Sequence, residues 1–179
     1  MARSDTNSSP RKPRLLDQAL LEALALRYVA RYATTRAKLR AYLLRKVEER
    51  GWSEQKPPDV NEIVDRHVAL GYVDDAGFAA ARVRAFARRG YGELRIAAML
   101  RSAGIENVDA ATALAVAHEG AYEAALHYAR RRRIGPFARS PGGPEQRRCD
   151  YAAMMRAGHG PGVIKRVLEC DPHVLDLDN

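Results

Sequence analysis

The chain has 179 residues, 46% of them hydrophobic and 29% charged, with a net charge of +8. That is enough apolar material for a core, yet no run approaches the roughly 20 apolar residues of a membrane-spanning helix, and the two cysteines, Cys149 and Cys170, give no disulfide framework. The short polar start lacks the apolar segment of a secretory leader, so a cytoplasmic protein is expected.

Residues 1–14 carry Ser, Asn, Pro, Arg and Lys with hardly an apolar side chain and read as a disordered basic arm. An apolar-periodic run starting at Leu15 or Asp17 predicts the first helix, with Arg27 and Arg31 four apart on one side. Thr34 or Thr35 caps a second helix with Leu39, Leu43 and Val47 toward the core and Arg36 and Arg40 as another basic pair. Gly51 ends it, and Pro57 and Pro58 make residues 52–58 a linker. Asp59 or Asn61 caps a third helix whose apolar register holds Ile63, Val64, His67, Val68 and Leu70, closed by Gly71.

Residues 71–105 are the best punctuated part of the chain. Asp74 is an N-cap, and Val73 and Phe78 have the spacing of a hydrophobic staple. A break falls at Gly90-Tyr91-Gly92, and Gly104-Ile105 reads as a Schellman end. At about 100° per residue, Ala79, Val83, Phe86 and Ala87 share one arc while Arg82, Arg84, Arg88 and Arg89 share another. No acid lies between Phe78 and Tyr91, whereas an ordinary solvated helix face mixes signs. A sixth helix is predicted over about residues 107–118 with Asp109 as a cap. A seventh, over about 119–133, carries Arg130, Arg131, Arg132 and Arg133. The prolines and glycines of residues 134–144 forbid regular structure there. Pro144 suits N1 of an eighth helix, and a short ninth is expected over about 163–169. Without an alternating strand of any length, the fold class is all-α.

A shift of 57 residues lays Arg27, Ala30 and Arg31 on Arg84, Ala87 and Arg88, and Thr35, Lys38, Leu39 and Leu43 on Gly92, Arg95, Ile96 and Leu100. Basic positions match basic and core matches core. A three-helix unit is thus used twice, with a weaker third copy interrupted by the Pro/Gly loop. The expected organisation is repeat 1 over 15–71, repeat 2 over 72–118, repeat 3 over 119–170 and an acidic tail over 171–179. Stacked repeats predict an elongated curved molecule.

Gly71-Tyr72-Val73-Asp74-Asp75, Phe78-Ala79, Arg88-Arg89-Gly90-Tyr91-Gly92 and Leu100-Arg101 with Ala103-Gly104-Ile105 together resemble the RecX family of recombination regulators. Residues 25–43 resemble its first repeat and residues 130–137 the third repeat of some members. The resemblance implies three tandem three-helix repeats and no catalysis or cofactor. It implies binding to the RecA recombinase as a filament on single-stranded DNA, and suppression of its ATPase, strand-exchange and coprotease activities. It also implies weak direct DNA binding. The chain departs from the family in its proline-bearing linker and in Gly158-His159, where an aromatic usually follows the glycine.

Arg27, Arg31, Arg36, Arg40, Arg84, Arg88, Arg89, Arg95 and Arg130 to Arg133 are therefore the expected contacts to acidic surfaces of RecA, to DNA phosphate, or to both. Tyr91, between two glycines and beside Arg88 and Arg89, is the tyrosine expected to stack on a base. The remaining tyrosines read as packing residues, as do His67 and His118. Asp74-Asp75 reads as helix capping, and no His/Cys spacing makes a metal site. A monomer is expected. The competing reading is a basic helical module that binds nucleic acid directly, without a recombinase partner.

Overall fold

A computed structural model describes residues 14–140 and 142–170. The acidic tail expected over 171–179, and all of the basic arm but Arg14, lie outside the described residues. Among the described residues there are nine α-helices, one 3-10 turn and no strand. By its internal contacts the chain divides into two compact units, Met1–Val73 and Asp74–Asn179.

The first unit holds α1 (Gln18–Arg31), α2 (Arg36–Arg50) and α3 (Val60–Ala69). Each starts on a short acceptor side chain that takes an otherwise orphaned backbone N–H. Asp17 accepts from the N–H of Leu20 at 2.8 Å, Thr35 from Lys38 at 3.2 Å and Asp59 from Glu62 at 3.0 Å. Leu16, Leu21, Ala25, Leu39, Leu43, Val60, Ile63, Val64 and Val73 form one buried core. His67 is buried, its Nδ1 2.8 Å from the carbonyl of Ile63. Leu70, placed by its register on the apolar face, is instead 60% exposed at the end of α3, because the helix ends there. The linker 52–58 is tied down at both sides. Leu16 and Trp52 form an isolated bridge, and the Trp52 indole N–H donates to the carbonyl of Lys56 at 2.7 Å.

The second unit holds α4 (Asp75–Ala87), α5 (Glu93–Ser102), α6 (Asn107–Glu119), α7 (Ala121–Arg132), a 3-10 turn (Gly135–Phe137), α8 (Pro144–Arg156) and α9 (Pro161–Leu168). The 57-residue shift carries α1 onto α4 and the start of α2 onto α5, with Leu39 and Leu43 replaced by the equally buried Ile96 and Leu100. Two cores lie in this unit. Phe78, Ala79, Val83, Ile96, Leu100 and their neighbours form one; Ala125, Tyr128, Ile134, Met154, Ile164 and Val167 belong to the other.

Asp74 caps α4, accepting from the N–H of Gly77 at 2.8 Å. The staple expected beside it is not formed as such, since Val73 packs with the core of the first unit and Phe78 with that of the second. Asp109 does not cap α6: the helix starts two residues earlier, and Glu106 stands at its N-cap without a side-chain bond. The Pro/Gly loop contains one regular turn, Gly135–Phe137, because Pro136 has the φ that a 3-10 turn needs. Pro144 opens α8, and Pro161 opens α9 two residues before the expected start.

Five helix ends share one geometry. After α3, α4, α5, α7 and α8, residues Gly71, Gly90, Gly104, Arg133 and Gly158 take a positive φ. The N–H of the following residue reaches back to a carbonyl five positions earlier: Tyr72 to His67, Tyr91 to Phe86, Ile105 to Leu100, Ile134 to Ala129 and His159 to Met154. These are Schellman ends. Arg133 is the non-glycine among them, at φ 55°.

Candidate anion-binding groove

The helix ends bring α4–α5 and α7–α9 together by backbone. Gly92 donates its N–H to the carbonyl of Ala157 at 2.9 Å, and Leu94 donates to that of Gly158 at 3.0 Å. A Cβ on Gly92 would lie 2.2 Å from the Gly158 oxygen, one on Gly158 2.4 Å from the Arg95 Cβ, and one on Gly90 2.8 Å from the Tyr128 nitrogen. Only glycine permits so close an approach. His159 completes the seam. It is 1% exposed, and its Nε2 sits 3.1 Å from the Gly90 carbonyl. A carbonyl cannot donate, so Nε2 carries the proton. Nδ1 is buried without a hydrogen-bond partner.

Burial holds the His159 pKa below its ordinary value of 6.5, while the bond to Gly90 opposes the shift. Because the folded pKa is the lower one, the unfolded chain takes up a proton first as pH falls. The contribution to stability is therefore complete above the unfolded value and is lost progressively below it. Thermal unfolding of the wild type is expected to come earlier at about pH 5 than at about pH 7. His159→Gln keeps a donor for Gly90 but does not titrate, so its melting temperature should drop less over the same interval. Equal drops in both proteins would show that His159 does not titrate with unfolding.

Beside this seam lies a groove of about 490 Å³. Its walls are Tyr91 in the break before α5 and Arg95 in the first turn of α5, Tyr128, Arg131 and Arg132 from the end of α7, and Arg156 from the last turn of α8. Ala153 and Ala157 also line it, and no carboxylate does. The Arg95 guanidinium lies over the Tyr91 ring at 4.4 Å, and that of Arg131 lies 5.9 Å from the Tyr128 ring centre. Arg95 also donates to the carbonyl of Arg156 at 3.3 Å. Such ring and carbonyl contacts orient guanidinium groups without neutralising them. Arg131, Arg132 and Arg156 occupy last turns of helices, where the dipole favours cations. The dipole thus favours three of the four charges, while Arg95, in the first turn of α5, is held by the Tyr91 ring and the Arg156 carbonyl.

Of the residues expected from the sequence, the groove gathers Tyr91, Arg95, Arg131 and Arg132. Arg84, Arg88 and Arg89 are exposed on and just after α4, outside its lining. Arg130 packs its guanidinium over Phe137 at 5.2 Å, and Arg133 is exposed at its left-handed position. In the first unit Arg27, Arg31, Arg36 and Arg40 are all exposed; Arg40 donates to Asn61 at 2.9 Å and Arg27 to the carbonyl of Ala23 at 3.3 Å. Tyr91 is half-buried, with Arg95 over its ring and Phe86 at 5.3 Å.

Sequence reasoning missed Arg156, Tyr128 and His159. Arg156 is a lone arginine in its helix turn, and its position is set by the seam. His118, read as a packing residue, is exposed and bonds Glu93 at 2.9 Å. Among the described residues no group of His, Cys, Asp or Glu is placed to hold a metal ion, and both cysteines are free thiols. No helix among them is long and apolar enough to cross a membrane.

The family description "RecX, second three-helix domain" matches residues 74–114. A protein named "Regulatory protein RecX" from Myxococcus xanthus is 34% identical over 174 residues, which covers 91% of this chain and 91% of its own. One of the same name from Deinococcus radiodurans is 38% identical over 99 residues, covering 54% of this chain and 43% of its own. The crystal structure of RecX from Lactobacillus salivarius superposes with a TM-score of 0.69 at 18% identity, covering 89% of this chain and 96% of that one. A second crystal structure, of "regulatory protein RecX", gives 0.65 at 20% identity, with 84% and 72% covered. The solved structures share the all-helical fold, and with the near-full-length match in sequence they establish that this chain belongs to the RecX family of regulatory proteins.

Proposed function

We propose that this chain is a non-enzymatic, cytoplasmic regulator that binds the RecA filament on single-stranded DNA and lowers its ATPase, strand-exchange and coprotease activities. It acts as a monomer. Binding proceeds through exposed arginines, with the groove of Arg95, Arg131, Arg132 and Arg156 as the principal contact. The observation that carries the reading is that groove: four guanidinium groups around about 490 Å³ with no carboxylate in the lining, in a chain of the RecX family. Arginine matches carboxylate and phosphate alike through paired N–H donors, so an acidic protein surface and a strand backbone are both within its chemistry. A filament presents both at regular intervals.

The test is ATP hydrolysis by RecA on single-stranded DNA held in excess, with and without this protein. Slowing at substoichiometric protein that persists when bare DNA is added supports the filament as target. Slowing that disappears on adding bare DNA assigns the effect to masking of the strand, and an unchanged rate rejects the reading.

A further inference from the structure

The first unit carries a second cationic feature, distinct in its chemistry from the groove. Three tyrosines meet between α1 and α2: Tyr28 in α1, Tyr32 at its C-cap and Tyr42 in α2. Tyr28 and Tyr42 are stacked with ring centres 4.2 Å apart, and Tyr32, just past the end of α1, is tilted against Tyr28 at 5.4 Å. Cations surround them. Arg31 lies 5.6 Å from the Tyr32 ring centre, and Arg45 and Lys46 lie 5.7 Å and 5.8 Å from that of Tyr42. One acid is near, Glu49, which pairs with both Arg45 and Lys46.

Packing accounts for part of this cluster but not for all of it. Tyr28 and Tyr42 are half-buried against the core of the first unit. Tyr32 is 50% exposed. The fold does not demand aromatic rings here: at the positions 57 residues later the chain has Ala85, Arg89 and Met99. The basic residues of the repeat are kept, as Arg27 and Arg31 match Arg84 and Arg88, while the rings are peculiar to the first copy. An open ring backed by other rings and bordered by guanidinium suits a flat aromatic guest that carries negative charge beside it. An unpaired nucleotide is such a guest, since every base has a π-face and its phosphate seeks cations. An acidic peptide would use the cations but has no need of the ring. Duplex DNA keeps its base faces stacked within the helix.

We propose that Tyr32, backed by Tyr28 and Tyr42 and flanked by Arg31, is a stacking site for an unpaired base of a single-stranded nucleic acid. It takes a base from any sequence, because stacking does not read hydrogen-bonding edges. This site adds a direct strand contact to the filament reading above and is tested without any recombinase, so either can fail alone.

The experiment measures binding of the full chain to two fluorescent strands of equal length and charge: oligothymidylate and the same backbone with abasic sites. The wild type should bind the base-bearing strand at least about fivefold more tightly. That preference should fall toward unity in Tyr32→Ala, persist in Tyr32→Phe, and survive in Tyr72→Ala, which removes a similarly exposed ring outside the cluster. Equal affinity of the wild type for the two strands, as an acidic-surface binder would show, overturns the proposal. A preference unchanged in Tyr32→Ala, or one lost equally in Tyr72→Ala, overturns it as well.

Discussion

Arg131→Gln combined with Arg132→Gln should weaken binding of a single-stranded polyanion by about tenfold or more at moderate salt. The two side chains are exposed, so each alone is expected to matter less, in keeping with the small worth of single surface charges. Together they remove half of the four guanidinium groups of the groove. The more specific expectation concerns salt. Each phosphate neutralised contributes about 0.7 to the slope of log affinity against log salt for single strands. The double variant should therefore show a slope shallower by roughly 1.4. An Arg139→Gln and Arg147→Gln control removes as much charge outside the groove lining. If the control lowers the slope as much as the groove variant, net charge rather than the groove governs binding.

Gly92→Ala and Gly158→Ala should each destabilise the second unit by about 3 kcal/mol or more. A methyl group on Gly92 would sit 2.2 Å from a backbone oxygen and 2.3 Å from its carbon, with no flexible side chain able to yield. Gly158 adds a φ of 92° to a 2.4 Å contact. Two other glycines separate these effects. Gly71 has φ 74° but nothing within 4 Å of its Cβ position, so Gly71→Ala carries backbone strain alone and should cost about 1 kcal/mol. Gly160 has an ordinary extended backbone and open space, so Gly160→Ala should be close to neutral. Denaturant unfolding of the four variants ranks them. If Gly92→Ala behaves like Gly160→Ala, the seam is not held as tightly as its distances require.

Local signals and tertiary ones were not equally legible. Asp74 could be read as a cap, and Thr35 and Asp59 as one of two candidates each beside Thr34 and Asn61, because a cap needs only its own residue and the next three; Asp17 could be read only as a candidate helix start. The Schellman end at Gly104 and the helix stop at Gly71 were readable for the same reason. Boundaries failed where chemistry was ambiguous: Asp109 looks like a cap yet lies inside α6, and Pro136 permits a 3-10 turn within a loop. The repeat exposed the basic positions Arg27, Arg31, Arg84, Arg88 and Arg95, since periodicity survives in one sequence.

The groove was only half visible. Arg95 and Arg156 are 61 residues apart in sequence, and their meeting depends on the contact between Gly92 and Gly158. Each glycine is explicable locally, one before a helix and one after. Their mutual approach is a property of packing. His159 was noted only as a departure from an aromatic; its burial against Gly90 follows from the same seam. The Tyr28–Tyr32–Tyr42 cluster likewise depends on how α1 meets α2, which side-chain spacing along one helix does not reveal.

The most direct measurement is the effect of the groove on the filament itself. RecA ATP hydrolysis on single-stranded DNA would be followed against increasing amounts of wild type and of a variant with Arg95, Arg131, Arg132 and Arg156 all changed to glutamine. Both proteins would first be matched for thermal unfolding. The wild type should slow hydrolysis below one protein per recombinase, and the variant should need at least about tenfold more to do so. A variant as potent as the wild type, or a wild type without effect, would contradict the assignment of the groove as the filament contact.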